Sequence, residues 1–192
     1  MGAKRLAGDD AASRLEGIFR AYERRVLAYA LRRTSSPADA EDAAAETFTI
    51  AWRKIERVPE DALPWLLGVA RRVIANQRRG SQRRAWLSWR LERQPTSEAT
   101  SLPVGEATDG PALSALARLR PDDQELLRLV AWDDLDHGGI GRVLGISPNA
   151  VAIRLHRARR RFADELMKDP GRIRTSIEAK GTVNGALEER VK

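Results

Sequence analysis

The chain of 192 residues has no cysteine and only two histidines, His137 and His156. Without cysteine it can build neither a disulfide framework nor a thiolate metal site. Two histidines, with no further ligand types clustered beside them, make a histidine-built metal centre a poor reading. Aromatic residues are only 5% of the chain, and no apolar run approaches the ~20 residues needed to cross a bilayer. The N-terminus, "MGAKRLAGDDAASRLEG", has basic residues but no apolar core segment, so it does not read as a secretion signal. Leu6 stands where a myristoylation motif carries Ser or Thr. Acids are also in deficit: 27 Asp and Glu face 34 Lys and Arg, a formal net charge of +7. These absences describe a soluble, cytoplasmic protein without membrane insertion, with no cofactor, no metal and no catalytic residues expected, and with a preference for polyanionic partners.

What is present is helical pattern, in two blocks around a poor middle. Residues 93–111, "RQPTSEATSLPVGEATDGP", hold three Pro, two Gly and five Ser or Thr without a helical period, the composition of a flexible linker. The expected organisation is a flexible N-terminus (1–12), a helical domain (13–85), a linker (86–111), a second helical domain (112–167) and a polar tail (168–192). In the first block Leu15, Ile18, Phe19, Tyr22, Val26 and Tyr29 recur at steps of three and four, the stripe of an amphipathic helix. At "TSSP" that helix stops; Ser36 can cap a second helix, with Pro37 at its first position and Asp39 in its first turn. That helix is expected to run to about Ile55, with Ala40, Ala44, Thr47, Phe48, Ala51, Trp52 and Ile55 as its buried stripe. A third, from Pro64, turns Trp65, Leu66, Val69, Ala70, Val73 and Ile74 inward. No strand-like alternation appears, so the class is all-α: two small helical domains joined by a flexible linker.

The most informative stretch is "GISPNAVAIRLHRARRRF", 145–162. Gly145 can take the left-handed conformation that ends one helix, and Ser147 can cap the next with Pro148 at its first position. Two helices joined so closely, 137–144 and the one from Pro148, form a helix-turn-helix. On the second, Val151, Leu155, Ala158 and Phe162 share one face. Asn149, Ala152, Ile153, His156, Arg157 and Arg160 lie on or near the other. A solvated helix is usually punctuated by acids, yet none occurs from Ser147 to Ala163. Recognition helices set early residues against base edges and later basic ones against phosphates. Asn149, Ala152, Ile153 and His156 therefore fall to the bases, and Arg154, Arg157 and Arg160 to phosphates. The preceding helix is odd: Gly138-Gly139-Ile140-Gly141 is either a short, marginal helix or one that must pack closely.

Two further tracts oppose each other in charge. "ADAEDAAAETF" places Asp39, Glu41, Asp42 and Glu46 on the second helix; alone this reads as a solvated acidic face, but on a chain of net +7 it suits a docking surface of defined polarity. "ARRVIANQRRGSQRRAWLSWRLER" carries eight Arg and one acid, with Asn76, Gln77, Trp86 and Trp89 interleaved. Arg with amides and aromatics can hold phosphates and stack on unpaired bases.

Together, "SPADAEDAAAETFTIAWRKI", "LPWLLGVARRVIANQRR" and "LRPDDQELLRLVAW…IGRVLGISPNAVAIRLHRARRRF" resemble the bacterial extracytoplasmic-function (ECF) sigma factors, over residues 13–167. The resemblance implies that core RNA polymerase and promoter DNA are partners, with an anti-sigma factor a further one, as for many relatives. It implies core polymerase docking through Asp39, Glu41, Asp42, Glu46, Phe48 and Trp52. The −10 element, read as single strand, would be met by the loop 56–63 and by Trp65, Arg71, Arg72, Asn76, Arg78 and Arg79. The duplex −35 element would be met by Asn149, Ala152, Ile153, Arg154, His156, Arg157 and Arg160. Arg72 departs from the Asn common in the family, and Ala152 and His156 depart from a basic and a bulky residue. A dimeric helix-turn-helix repressor or activator would explain the second block but not the acidic helix or the Arg-Asn-Gln tract. A nucleic-acid enzyme would need a convergent carboxylate or histidine site that the sequence does not offer.

Overall fold

Local sequence signals account for most of the element boundaries. A computed structural model describes residues 2–92 and 110–168. Helix α1 spans Gly2–Leu31, α2 Pro37–Arg53, and a single 3-10 turn, Ile55–Arg57, leads to α3, Ala62–Glu92. Then come α4, Pro111–Arg118, α5, Pro121–Ala131, α6, His137–Leu144, and α7, Pro148–Met167. Among the described residues there is no strand. The chain divides into two compact units, one of residues 1–103 with 138–147 and one of 104–137 with 148–192.

In the first unit α1, α2 and α3 pack pairwise on one another. Alanine makes this packing close: Ala30, Ala40, Ala43, Ala51 and Ala70 are fully buried, beside Val26, Tyr29, Leu66, Leu67 and Val73. The one buried hydroxyl on α2, Thr47, donates to the Ala43 carbonyl at 2.7 Å, so its burial leaves no donor unmet. At the end of α1, Arg33 is buried with its guanidinium 3.6 Å from the centre of the Tyr29 ring, and it donates to the Tyr29 carbonyl at 3.1 Å. Helix α2 starts as its sequence dictates. The Asp39 amide donates to Ser36 Oγ at 3.1 Å, the Ser36 hydroxyl returns a bond to the Asp39 carboxylate at 2.7 Å, and Pro37 occupies the first turn.

Three boundaries differ from the sequence reading. Helix α1 begins at Gly2, inside the stretch expected to be a flexible N-terminus; "AKRLAGDDAASRL" is rich in good helix formers and lacks proline. Helix α2 ends at Arg53, and Ile55 belongs to the 3-10 turn that follows. Helix α3 continues through Gly80 to Glu92, well into the span 86–111 taken as linker. A single exposed glycine costs a helix only ~1 kcal/mol, too little to end a run otherwise made of helix formers.

In the second unit α4 and α5 pack on α7. Ala115, Leu116, Leu119, Leu126, Leu129, Val151, Leu155 and Ala158 are buried apolar residues there. Pro121 opens α5, and the α4–α5 corner is closed by Gln124, whose amide donates to the carbonyls of Ala117 at 3.1 Å and Leu119 at 2.9 Å. Arg118 ties the start of this unit to its end, donating to the Glu165 carboxylate at 3.0 Å and to its carbonyl at 2.9 Å. Lys168 first, and Arg118 after it, hold the half-buried Glu165 carboxyl below the usual carboxylate range. Helix α6, only eight residues long, groups with the first unit from Gly138 onward and buries Gly139, Ile140, Gly141 and Val143. Gly139 and Gly141 thus stand at packed positions.

The Ser36 cap gives a direct test of this local logic. Ser36→Ala removes the acceptor for the Asp39 amide and is expected to lower stability by about 1 kcal/mol in urea unfolding of the full chain. Loss of protection from amide exchange should concentrate in the first turn of α2.

Candidate nucleic-acid interface

Helix α7 sorts its residues by a rotation of about 100° per residue. Val151, Leu155 and Ala158 fall on one side and are buried. Asn149, Ile153, His156, Arg157 and Arg160 form a ridge on the opposite side, all exposed, with Ala152 half-buried at its edge and Arg154 exposed on the other flank. Arg154, Arg157, Arg159 and Arg160 are exposed, and among the described residues none pairs with an acid. The helix is entered from α6 through a tight turn. Gly145 has φ of +70°, the left-handed region that favours glycine, and the Ile146 amide donates to the Gly141 carbonyl at 3.0 Å. Pro148 is the first residue of α7.

Arg161 is different from its neighbours. Its guanidinium donates to both carboxylate oxygens of Asp123, at 2.8 and 2.7 Å, and Asp123 is itself buried at the N-terminal end of α5. That bond spans the two helices and fixes the rotation of α7 about its own axis. So the run Arg159-Arg160-Arg161, uniform in sequence, splits into two exposed cations and one structural one.

In the first unit the acidic residues Asp39, Glu41, Asp42 and Glu46 are all exposed on α2, and Trp52 at its end is 46% exposed. Trp52 therefore does not belong to the buried stripe. Phe48 does: it is 7% exposed and packs edge-on against Phe19, with centroids 4.8 Å apart, which leaves little of its ring on the outer face of α2.

A cleft of about 440 Å³ lies between α2 and α3, lined by Glu46, Ile50, Lys54 and Arg57 on one wall and Trp65, Val69, Arg72, Val73 and Asn76 on the other. The second set follows the spacing of one helical face, four, seven, eight and eleven residues on from Trp65. Three expected −10 residues, Trp65, Arg72 and Asn76, thus come together in one place. Lys54 was not singled out by sequence reasoning, which saw a helix end there, and Arg57 entered only as part of the loop 56–63; the signal was the basic spacing in "RKIER". The remaining three are not part of this cleft. Arg71 is exposed on another side of α3, Arg78 donates to the Arg33 carbonyl at the end of α1, and Arg79 donates to the Asn76 side-chain carbonyl and helps line a separate cleft with Gln82, Arg83 and Trp86. The loop before α3 is held from behind, since Arg14 of α1 donates to the Val58 carbonyl. A half-buried indole, an amide that both donates and accepts, and three cations make a lining able to stack on an unpaired base and neutralise its phosphates.

Among the described residues no group of three or more acids, His or Cys is placed to hold a metal ion, and no helix is long and apolar enough to cross a membrane. The family model for sigma-70 region 2 matches residues 18–84, and that for sigma-70 region 4 matches residues 110–162. The ECF RNA polymerase sigma factor SigL of Mycobacterium tuberculosis is 31% identical, over 68% of this chain and 76% of its own length. The chain belongs to the ECF sigma factors. Its role is promoter-directed initiation of transcription through RNA polymerase, and the family is one of initiation factors, not enzymes. RNA polymerase sigma factor CarQ of Myxococcus xanthus is 29% identical, over 78% of this chain and 87% of its own length. The chain spans only 40% of another relative, "Probable RNA polymerase sigma factor RfaY" of Xanthomonas campestris, at 29% identity. The fold is shared with the sigma factor RpoE in complex with the anti-sigma factor NepR from Bartonella quintana: TM-score 0.59, 21% identity, covering 80% of this chain and 97% of that one.

Arg161 and Arg157, four residues apart on this sigma factor, should behave as different kinds of residue. Arg161→Ala removes both hydrogen bonds to the Asp123 carboxylate, leaving it only the longer ion pair with Arg120 at 3.6 Å, and is expected to cost about 1.5–3 kcal/mol of stability. Arg157→Ala, on the exposed ridge, should leave stability within about 0.5 kcal/mol; paired urea titrations distinguish them.

Proposed function

We propose that the two helical blocks of the sequence divide promoter recognition between them, with residues 13–85 serving core polymerase and the −10 element and residues 112–167 serving the −35 element. The observation that carries this is the segregation of charge: an exposed acidic face on α2, a cationic cleft behind it, and an acid-free exposed ridge on α7. On this reading core polymerase docks against Asp39, Glu41, Asp42 and Trp52. Glu46 stands where that face meets the cleft. The cleft takes an extruded base of the non-duplex −10 strand, with Trp65 as the stacking surface, Asn76 as the reader of the base edge and Lys54, Arg57 and Arg72 as phosphate contacts. Arg72 replaces the hydrogen-bonding of an Asn by a cation that can stack as well as bond. Arg71 and Arg79 hold the strand beyond the cleft, and Arg78 acts by bracing α3 against the end of α1.

Helix α7 enters the major groove, with Asn149, Ala152, Ile153 and His156 at base edges and Arg154, Arg157 and Arg160 at phosphates. Arg161 is left out of the contact set because Asp123 holds it. All bond making belongs to the polymerase, and the factor works inside the cytoplasm where the chromosome is. The sigma factor of the Bartonella complex is bound to an anti-sigma factor, and this chain is held by one in the same sense when idle.

Asp42→Lys combined with Trp52→Ala should weaken association with core polymerase at least tenfold while leaving binding of the full chain to −35 duplex DNA unchanged. Equal loss of both activities would remove the acidic face from the docking role. Arg157→Ala should reduce the slope of log affinity against log salt for −35 duplex by about one unit, and Arg161→Ala should not. A slope unchanged by Arg157→Ala would take that residue off the phosphate list.

A further inference from the structure

The ridge of α7 contains one side chain that none of the charge arguments explains. Ile153 lies on the far side of the helix from Val151, Leu155 and Ala158, and it is 47% exposed. A single exposed aliphatic is ordinary on a protein surface. Here its setting is not ordinary. Asn149 stands one turn before it, His156 and Arg157 one turn after, and all are exposed on the same ridge. It is the one large apolar side chain exposed within the cationic stretch from Pro148 to Phe162. A branched hydrocarbon flanked by an amide and two nitrogen-bearing groups is a strip with a polar, apolar, polar order.

The major-groove edge of a duplex offers few features an isoleucine can meet without loss. Guanine presents two acceptors, cytosine an amino donor, and adenine an acceptor beside a donor. Placed against any of these, Ile153 would strip water from a polar group and return no hydrogen bond. Only thymine carries an apolar group there, its C5-methyl. We infer that Ile153 is a specificity-determining residue that reads the C5-methyl of a thymine in the −35 element, with Asn149 and His156 taking the polar edges of the base pairs on either side. This rests on the reading of α7 as the −35 interface and adds the chemical identity of one base in it.

Replacing thymine by deoxyuridine deletes the methyl and nothing else, so it isolates the contact. The assay uses holoenzyme, made from the full chain and core polymerase, on a promoter fragment recovered by sequencing the start sites of run-off transcripts. Each thymine of the −35 element, on either strand, is replaced singly by deoxyuridine, and binding is measured by competition for the native chain and for Ile153→Ala. Alanine is a good helix former at an exposed position, and the retained circular dichroism of the variant checks that α7 is intact. One thymine is expected at which loss of the methyl weakens the native chain about fourfold, the effect of one buried methyl-sized group. The same replacement should have no effect on Ile153→Ala. Indifference of the native chain to every replacement, or an equal penalty in both proteins, overturns the inference. A −35 element built of G·C pairs alone overturns it too. These outcomes are separable from failure of the underlying reading. Scrambling the whole −35 element should abolish binding by the native chain; if it does not, α7 is not the −35 interface and both proposals fall.

Discussion

The second unit depends on α7 presenting two unlike faces at one fixed rotation. One side must be apolar enough to bury Val151, Leu155 and Ala158, and the other must tolerate a dense set of cations in water. A rotation by a single residue, about 100°, would carry arginines toward the interior and leave leucine and valine exposed. The apolar stripe selects the rotation, and the Arg161–Asp123 pair fixes it from the flank at 2.7 Å. Asp123 does this from the N-terminal end of α5, where the helix dipole already favours a carboxylate. The acid-free character of the exposed face is affordable only because one arginine of the run is neutralised in this way and the others are fully solvated.

The first unit solves a related problem with small residues. Alanines at Ala40, Ala43, Ala44 and Ala51 let α2 sit close to its neighbours, so its opposite side stays fully exposed and can be given over to acids. The same close approach shapes the cleft between α2 and α3, where wide side chains at its rim, Trp65, Arg57 and Arg72, surround a narrow floor of Ile50, Val69 and Val73. Charge of opposite sign thus appears on one small body without cancelling: acids point outward from α2, cations line its flank. A factor that must hold a large protein partner and a nucleic-acid strand together needs such a division.

Much of this was legible in the sequence, and the exceptions have physical causes. Ser36, Pro37 and Asp39 announced the start of α2 because capping is local chemistry, decided within four residues. The helix-turn-helix was legible for the same reason, through Gly145 and Pro148. Phe48 stood both in the buried stripe and among the docking residues, because an aromatic beside acids on one helix looks the same whether it faces a partner or a neighbouring helix; the position of Phe19 shows what it packs on. Arg161 could not be told from Arg160 until Asp123 was located across the unit. Lys54 was not singled out because its place in the cleft depends on facing Trp65 and Asn76, residues that no periodicity links to it. The extent of α3 was underestimated because the linker was read from the composition of 93–111 and carried back to 86, whereas nothing between Gly80 and Glu92 stops the helix and the formers on both sides of Gly80 outweigh its cost.

The measurement that tests the account most directly is run-off transcription by bacterial core RNA polymerase on a pool of genomic promoter fragments, with and without this protein. The account predicts defined transcripts only when the protein is present, with start sites that align on two conserved elements spaced as one factor with two DNA-reading units requires. No defined transcripts, together with no association between the protein and core polymerase, would contradict it.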